Sequence, residues 1–225
     1  MKRKLLAMVL ALSLMVFPVK AQSGDKLVAL TFDDGPSGRF TRRLLEGLDE
    51  RNVKATFFLC GYRMKDMPTI AEEIAAGGHE IGLHGYSHDS MAKMSAYTLR
   101  KELEQTAELL GWFPTLLRPP GGAYGDTLCR VAEEMDLAII NWSLDPRDWA
   151  TSNSDTIVRR VVEDVRDGDV ILMHDMSDSS VNAALRIIDE LSAQGYRFVT
   201  VSQLARARGV GLVGGEVYTR FEQGK

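Results

Sequence analysis

The sequence predicts an α/β fold in which a parallel sheet of about seven strands is wrapped by helices. Apolar runs rich in β-branched residues alternate with segments of helical period along the chain. No low-complexity tract or Pro/Ser-rich linker interrupts the pattern, and its length suits one domain. Five of the seven apolar runs are followed directly by short polar motifs, which indicates a common functional edge.

The predicted strands and helices follow from the apolar runs and from the segments of helical period. Seven runs predict strands, in order Lys26–Phe32, Lys54–Leu59, His79–Leu83, Thr115–Arg118, Leu137–Trp142, Asp169–Met173 and Arg197–Val201. Five segments with apolar residues three and four apart predict helices, at Phe40–Glu50, Ser95–Leu110, Thr127–Asp136, Asp155–Val165 and Val181–Ala193.

The first residues have the pattern of a secretory signal. Met1–Ala21 begins with three basic residues, continues as the apolar run Leu5–Phe17 and ends at a cleavage-type sequence. That run is shorter than the roughly 20 apolar residues that span a bilayer, so cleavage after Ala21 is favoured over a retained signal-anchor. We therefore expect a secreted or cell-envelope protein that touches the membrane only if this segment is not cleaved.

The remaining chain is predicted to contain a catalytic domain, residues 22–208, and a short Gly-rich terminal extension, residues 209–225. Loss of the signal removes four basic residues and no acidic one, so the formal net charge moves from −4 to −8. This charge argues against a nucleic-acid or polyphosphate ligand, which would require a basic surface. A neutral or cationic polymer fits it better.

Two cysteines, Cys60 and Cys129, do not form a disulfide framework. A disulfide between them is an alternative, but the favoured interpretation is that both are small buried side chains. No Cys-x-x-Cys spacing indicates a cysteine metal site.

Five motifs lie at predicted strand ends. They are Thr31–Pro36 (TFDDGP), His84 to His88, Arg118–Gly122 (RPPGG), Asp145–Trp149 (DPRDW) and Leu172–Asp175 (LMHD). If the strands run parallel, the motifs meet at one rim, which is the active face in barrels of this kind.

Two histidines and one aspartate form a candidate metal site. His84, His88 and one of Asp33 or Asp34 supply two imidazole nitrogens and a carboxylate, which suits Zn2+ or another divalent ion such as Co2+. A zincin helix is excluded, because Gly85 stands where that motif has glutamate. An isolated histidine pair would more often be surface polar residues; the accompanying motifs favour metal binding.

The other polar residues indicate hydrolysis. Adjacent Asp33 and Asp34 favour a division of roles, in which one binds the cation and the other takes a proton from water. His174 is the remaining histidine on the predicted rim and a candidate general acid. His79 starts its strand at the other end and is assigned a structural role.

Taken in order, the motifs closely resemble those of the polysaccharide deacetylases, the family-4 carbohydrate esterases. The resemblance covers Leu27 to about Leu204 and includes the strand segments Ala55–Phe58, His79–Gly82 and Phe198–Ser202. It implies a distorted (β/α) barrel of about seven parallel strands in a single domain. It also implies a metal-dependent hydrolase that acts on a glycan.

The resemblance implies roles for the residues that match the motifs. Asp33 matches the catalytic base, and Asp34, His84 and His88 match the metal ligands. Arg118 matches the arginine that holds the base through a charge-assisted pair.

The remaining implied roles concern substrate and leaving group. Gly121 follows Pro-Pro where the family has an oxyanion-binding backbone N–H. Asp145 matches the acid that orients His174, and Leu172 and Trp149 resemble the apolar wall around the acetyl methyl group.

Asp148 and Asp175 are alternatives to Asp145 in the orienting role. The chain departs from the common family pattern at Leu83 and Gly85, which flank His84, and at Gly121, where a bulky residue is usual. The first departure concerns a hydrogen bond that steadies the histidine loop. The second predicts a more open wall of the substrate groove.

The predicted reaction is removal of N-acetyl groups from amino sugars of a β-1,4-linked glycan, above all N-acetylglucosamine of peptidoglycan. Chitooligosaccharide, N-acetylmuramic acid and O-acetyl xylan stay open as substrates. An inactive glycan-binding protein is an alternative of another class, although it would not need Asp33, Arg118 and His174 together. A secreted metallopeptidase lacks its usual motif.

Overall fold

The computed structural model describes residues 26–223. Its strands are β1 (Lys26–Gly35), β2 (Thr56–Leu59), β3 (Glu80–Leu83), β4 (Leu116–Leu117), β5 (Ala138–Ile140), β6 (Val170–His174), β7 (Tyr196–Phe198) and β8 (Val217–Tyr218). Its α-helices are α1 (Arg39–Glu50), α2 (Gly61–Asp66), α3 (Pro68–Ala76), α4 (Ala96–Glu108), α5 (Asp126–Glu134), α6 (Ser154–Asp164), α7 (Asp178–Ala193) and α8 (Val201–Ala207). Three short 3-10 turns cover Met91–Lys93, Pro120–Gly122 and Asp148–Ala150.

The strands form one curled parallel sheet. Seven strands follow the order β6-β1-β2-β3-β4-β5-β8. The eighth, β7, pairs with the first three residues of β1, and β6 pairs with the residues that follow them. Bridges between Leu144 and Ile171 and between Asp169 and Arg220 bring the two ends of the sheet together. The predicted distorted (β/α) barrel of parallel strands in a single domain is thereby confirmed.

Both faces of the sheet are buried, as parallel sheets require. In β2, Phe57 packs with the helices on the outer face, and the next residue, Phe58, packs on the opposite face. Each is fully buried, which contributes about 1.5–3 kcal/mol per side chain. Two buried faces make the strands rigid supports for the residues that follow them.

The C-terminal segment differs from its prediction. The strand predicted at Arg197–Val201 is instead Tyr196–Phe198, because Thr200 caps α8 in a capping box with Gln203 and Val201 is helical. Beyond residue 209, β8 pairs with β5, and Phe221 is 1% exposed. The described part of the predicted terminal extension therefore belongs to the sheet and its core.

The predicted signal segment, Met1–Ala21, lies outside the described residues. Among residues 26–223, no helix has both the length and the apolar character needed to cross a membrane. Cys60 is buried, Cys129 is partly buried, and both are free thiols.

Candidate active site

The register of the sheet brings the motifs together at the carboxyl ends of the strands. Asp33 on β1 pairs with His174 on β6. Leu83, just before His84, pairs with Leu117, just before Arg118. Parallel pairing thus places these four polar side chains at one rim, as predicted from their positions.

Asp34, His84 and His88 form a compact group of possible metal ligands. Their ligand atoms all lie within 4.8 Å of one another. Asp34 Oδ1 is 3.1 Å from His84 Nε2 and 2.9 Å from His88 Nε2. Both Asp34 and His88 have positive φ angles, of 67° and 65°. Strained backbone at two of the three possible ligands is typical of a site held in place by its surroundings.

The chemistry of this group fits a divalent cation. Asp34 Oδ1 is buried, and neither nearby imidazole forms a hydrogen bond with it in suitable geometry. His84 Nδ1 lies 2.7 Å from the carbonyl oxygen of Arg118, to which it can donate, and Nε2 then keeps its lone pair for a cation. Burial raises the pKa of Asp34, but the two histidines outweigh burial and hold the pKa well below its usual range.

Arg118 fixes the carboxylate of Asp33. Its side chain is 0% exposed, and its Nη1 donates to Asp33 Oδ1 and to Thr31 Oγ1, each at 2.7 Å. Nε donates to the carbonyl of Ile140 at 2.8 Å, and Nη2 donates to that of Asn141 at 3.0 Å. The guanidinium also lies 4.1 Å from the centre of the Phe58 ring. Asp33 is thus paired and aimed, with Oδ2 3.8 Å from His84 Nε2.

His174 faces this group from β6. Its Nε2 lies 4.0 Å from Asp34 Oδ2. Its Nδ1 lies 2.8 Å from Asp148 Oδ1, and its backbone N–H donates to Asp148 Oδ2 at 2.9 Å. Burial lowers the pKa of His174, but the hydrogen bond and charge of Asp148, with the charges of Asp33 and Asp34, raise the pKa to about 9. These carboxylates favour the protonated form of the ring.

The prediction that Asp145 orients His174 is wrong. Asp145 Oδ1 accepts the backbone N–H of Arg147 at 2.7 Å and shapes a turn in which Arg147 has a φ angle of 55°. This turn delivers Asp148, which is 2% exposed, to the histidine. Two acids three residues apart in one loop look alike in a sequence, whereas the fold buries one and leaves the other partly exposed.

Asp175, the second alternative to Asp145, contacts residues that follow the first motif. It is 0% exposed, and its carboxylate accepts a hydrogen bond from Thr41, while Ser37 donates to its backbone carbonyl. Burial raises the pKa of Asp175 to about 6, although the hydrogen bonds from Thr41 and Ser37 oppose this.

A cavity of about 520 Å³ lies beside His174. Asp34, Asp148 and Trp149 line it, together with hydroxyl side chains from the start of α7. The Trp149 ring is exposed, and the guanidinium of Arg147 lies 5.2 Å from its centre. Leu172 is buried on the same strand face as His174, and its predicted contact with an acetyl group stays a prediction.

Gly121 lies in the turn Pro120–Gly122, directly after the segment that carries Arg118. Its φ angle is 65°, and no atom lies within 4 Å of the position that a Cβ would take. The groove is therefore open at this position, as the missing bulky side chain indicates. The oxyanion role of its N–H stays a prediction.

Two further residues support the site without having been predicted from the motifs: Thr31, which contacts Arg118, and Glu102, which accepts the N–H groups of Tyr86 and Ser87 between the two histidines. Thr31 Oγ1 accepts from Arg118 and donates to the carbonyl of Ile171 at 2.7 Å. Its place two residues before Asp33, on the same strand face, could have indicated this contact. Glu102 lies on α4, far from the motifs in sequence, and no local signal identifies it.

His79 lies at the opposite end of the sheet, where a structural role was predicted. Its Nδ1 accepts the N–H of Ala55 at 3.2 Å, and its ring packs edge-on against Phe57. Burial lowers the pKa of His79 to about 4, so this ring is neutral.

Comparison with known proteins identifies the family. A family model described as polysaccharide deacetylase matches residues 20–140. The chain belongs to the polysaccharide deacetylase family. It therefore carries a deacetylase domain of the hydrolase class.

Two curated relatives and one solved structure are similar over most of the chain. The peptidoglycan-N-acetylmuramic acid deacetylase PdaC of Bacillus subtilis is 40% identical over 82% of this chain and 40% of its own length. A peptidoglycan-N-acetylglucosamine deacetylase of Bacillus cereus is 37% identical over 82% of this chain and 90% of its own length. A family 4 acetyl xylan esterase from Clostridium thermocellum, solved with a cobalt ion, has a TM-score of 0.80 at 35% identity, covering 87% of this chain and 98% of that one.

Proposed function

We propose that this protein is a secreted or cell-envelope, metal-dependent hydrolase that removes N-acetyl groups from amino sugars of a β-1,4-linked glycan. N-Acetylglucosamine of peptidoglycan is the leading substrate, and Zn2+ is the leading metal. The observation that carries the proposal is the convergence at one rim of the buried Asp33–Arg118 pair, the Asp34–His84–His88 group and the Asp148–His174 pair. A base, a metal site and an acid within a few ångströms are the parts that amide hydrolysis needs.

Asp34, His84 and His88 would hold the cation. When bound, the ion would polarise the acetyl carbonyl and increase the acidity of the attacking water. Asp33 accepts the proton of that water as its oxygen bonds to the acetyl carbon. Arg118 keeps the Asp33 carboxylate aimed, because four hydrogen bonds prevent the guanidinium from turning away.

His174 completes the reaction. As the bond between the carbonyl carbon and nitrogen breaks, Nε2 gives its proton to the amine, which leaves as a free amino sugar. Asp148 on Nδ1 holds the ring in orientation and keeps it protonated at neutral pH. The Gly121 N–H would bind the oxygen on which negative charge develops, and Trp149 and Leu172 would contact the acetyl methyl group.

Substrate choice rests on the relatives and on charge. Three relatives with 37–40% identity are named for peptidoglycan, two for N-acetylglucosamine and one for N-acetylmuramic acid. Chitooligosaccharide and acetylated xylan follow as alternatives. An inactive glycan-binding protein is disfavoured, because binding alone needs neither an arginine on Asp33 nor a proton on His174.

The proposal is tested by acetate release from peptidoglycan, chitooligosaccharides and acetylated xylan, with and without chelator. Acetate from peptidoglycan that disappears with chelator and returns with Zn2+ would support the full proposal. Acetate release from xylan alone would show that acetylated xylan, and not peptidoglycan, is the substrate. If the metal-loaded protein released no acetate from any glycan, the binding-only alternative would be favoured.

A further inference from the structure

The two histidines of the metal group are supported differently. His84 directly follows β3, is 1% exposed and is fixed through Nδ1 by the carbonyl of Arg118. His88 lies four residues later in a loop, and its side chain is 42% exposed. Its position therefore depends on the course of the backbone between the two histidines.

That backbone is held by a carboxylate from outside the motif. Glu102, on α4, accepts the N–H groups of Tyr86 and Ser87 at 2.8 Å each and the hydroxyl of Ser87 at 3.0 Å, all through Oε2. Hydrogen bonds to an ionised acceptor are about twice as strong as neutral ones. Three of them on one oxygen determine the direction of two successive peptide groups.

The opposite side of the loop is held by α2. The N–H of Gly61 donates to the carbonyl of Gly85 at 2.9 Å, and that of Tyr62 donates to the carbonyl of Tyr86 at 3.0 Å. The loop is thus clamped through its carbonyls on one side and through its N–H groups on the other. Among the described hydrogen bonds of this clamp, Glu102 supplies the only side chain from outside the loop, so its contribution can be tested by mutation.

The loop needs such support because its own residues do not stiffen it. Gly85 has a φ angle of 80°, and a Cβ there would meet Met91 Cε at 2.7 Å. Glycine has many conformations to lose, and His88 sits at a positive φ that costs about 1 kcal/mol or more. Leu83 and Gly85 place no polar side chain next to His84. Without Glu102, the loop would relax and move His88 away from Asp34.

We propose that Glu102 is a positioning residue that holds the His84–His88 loop ready to bind the metal. This inference rests on the metal site of the proposed function. Partners of metal ligands typically contribute about tenfold to hundredfold in metal affinity. Because Glu102 acts through the loop, its loss weakens metal binding before any substrate is present.

The test measures Zn2+ affinity of the metal-free full chain by calorimetry against a competing chelator, and the apo melting temperature in parallel. Glu102→Ala is expected to raise the Kd by about tenfold to hundredfold, and Glu102→Gln and Ser87→Ala are expected to raise it less. Glu104→Gln, an exposed acid on the same helix, is the matched control and leaves the Kd unchanged. Loaded with Co2+, Glu102→Ala is expected to show an altered visible absorption spectrum, because the coordination geometry changes.

The outcomes separate this inference from the function beneath it. Unchanged Kd values for all three loop variants, with binding lost in His84→Ala, would overturn the role of Glu102 and leave the metal site intact. A lower apo melting temperature with an unchanged Kd would also overturn it, because the contact would then be merely structural. Unchanged binding in His84→Ala would overturn the metal site itself. If Glu102→Ala does not fold, Glu102→Gln and Ser87→Ala decide the question.

Discussion

Two adjacent aspartates have different surroundings, and this difference separates their roles. Asp33 is 3% exposed and paired with the buried guanidinium of Arg118. Asp34 turns the other way, through its positive φ angle, toward His84 and His88. A change of backbone direction between consecutive residues thus turns one carboxylate toward Arg118 and the other toward the two histidines, which matches the proposed roles of base and metal ligand.

At the same scale, Asp148→Asn is expected to lower kcat at least about tenfold, part of the roughly 10²- to 10⁴-fold that a general acid contributes. The pKa of His174 is raised to about 9, so the acid form is present below this pH and is lost as pH rises through it. Removing the charge of Asp148 lowers that pKa and moves the alkaline loss of activity to lower pH.

The measurement is kcat against pH for Asp148→Asn and for Asp145→Asn as the matched control. Asp145→Asn is expected to keep the wild-type profile, because the hydrogen bond described for Asp145 lies within the turn and an asparagine oxygen can accept it too. A shifted profile in the Asp145 variant alone would show that the orienting role belongs to Asp145.

At the scale of elements, each strand end delivers a side chain because the next loop is tied to its neighbour. The loop after β1 is fastened to the end of β6, where Ser37 and Thr41 both bond to Asp175. Glu102 does the same for the loop after β3, from α4. The rim is therefore a set of loops cross-linked by polar side chains, of which Asp175 is buried and Glu102 is partly buried.

Asp175→Asn is expected to stabilise the protein at neutral pH. Burial raises the pKa of Asp175 from 3.8 to about 6 in the folded state. The free energy of unfolding is therefore highest below the pKa of this carboxyl in the unfolded chain. It falls by up to about 3 kcal/mol as pH rises through the pKa in the folded protein. Asparagine carries no charge and avoids this cost.

Urea unfolding of both proteins between pH 4.5 and 8 checks this. The free energy of unfolding of the variant, relative to that of the wild type, should increase as pH rises, and the difference should be smallest at pH 4.5. An equal loss of stability at every pH would show that the carboxylate forms a contact that asparagine cannot replace.

The sequence indicated the long elements and the motif positions, because both depend on local pattern. Five helices and seven strands followed from their periodicity, and the strand ends placed Asp33, His84, Arg118 and His174 at one rim. The choice between Asp145 and Asp148 did not follow, because it depends on which of two similar acids the fold buries. Nor did the role of Glu102, whose partners are fifteen and sixteen residues away on another element.

At the scale of the whole molecule, the C-terminal segment closes the sheet. β8 pairs with β5, and Arg220 reaches Asp169 beside β6, with Nε 2.7 Å from Oδ1. Asp169 is 1% exposed and also accepts from Ser143 and the N–H of Arg166. This contact joins the segment after β8 to the start of β6 and so brings together the two ends of the curled sheet. Its long range explains why the segment was predicted as an extension.

Arg220→Ala is expected to lower the free energy of unfolding by about 3 kcal/mol, because it leaves a buried carboxylate short of its cationic partner. Arg186→Ala, which removes an exposed pair with Asp155, is the control and should cost no more than about 1 kcal/mol. Denaturant unfolding measures both. Equal effects would contradict the account of barrel closure.

The central claim is that Asp34, His84 and His88 bind one catalytic metal ion beside Asp33 as the base. Titrating Zn2+ into metal-free protein while measuring acetate release from peptidoglycan tests it most directly. The account predicts activity that rises to a plateau at one equivalent in the wild type. Asp33→Asn should bind the same equivalent and lose activity by about 10²-fold or more. Full activity in the metal-free protein, or an Asp33→Asn variant as active as the wild type, would contradict it.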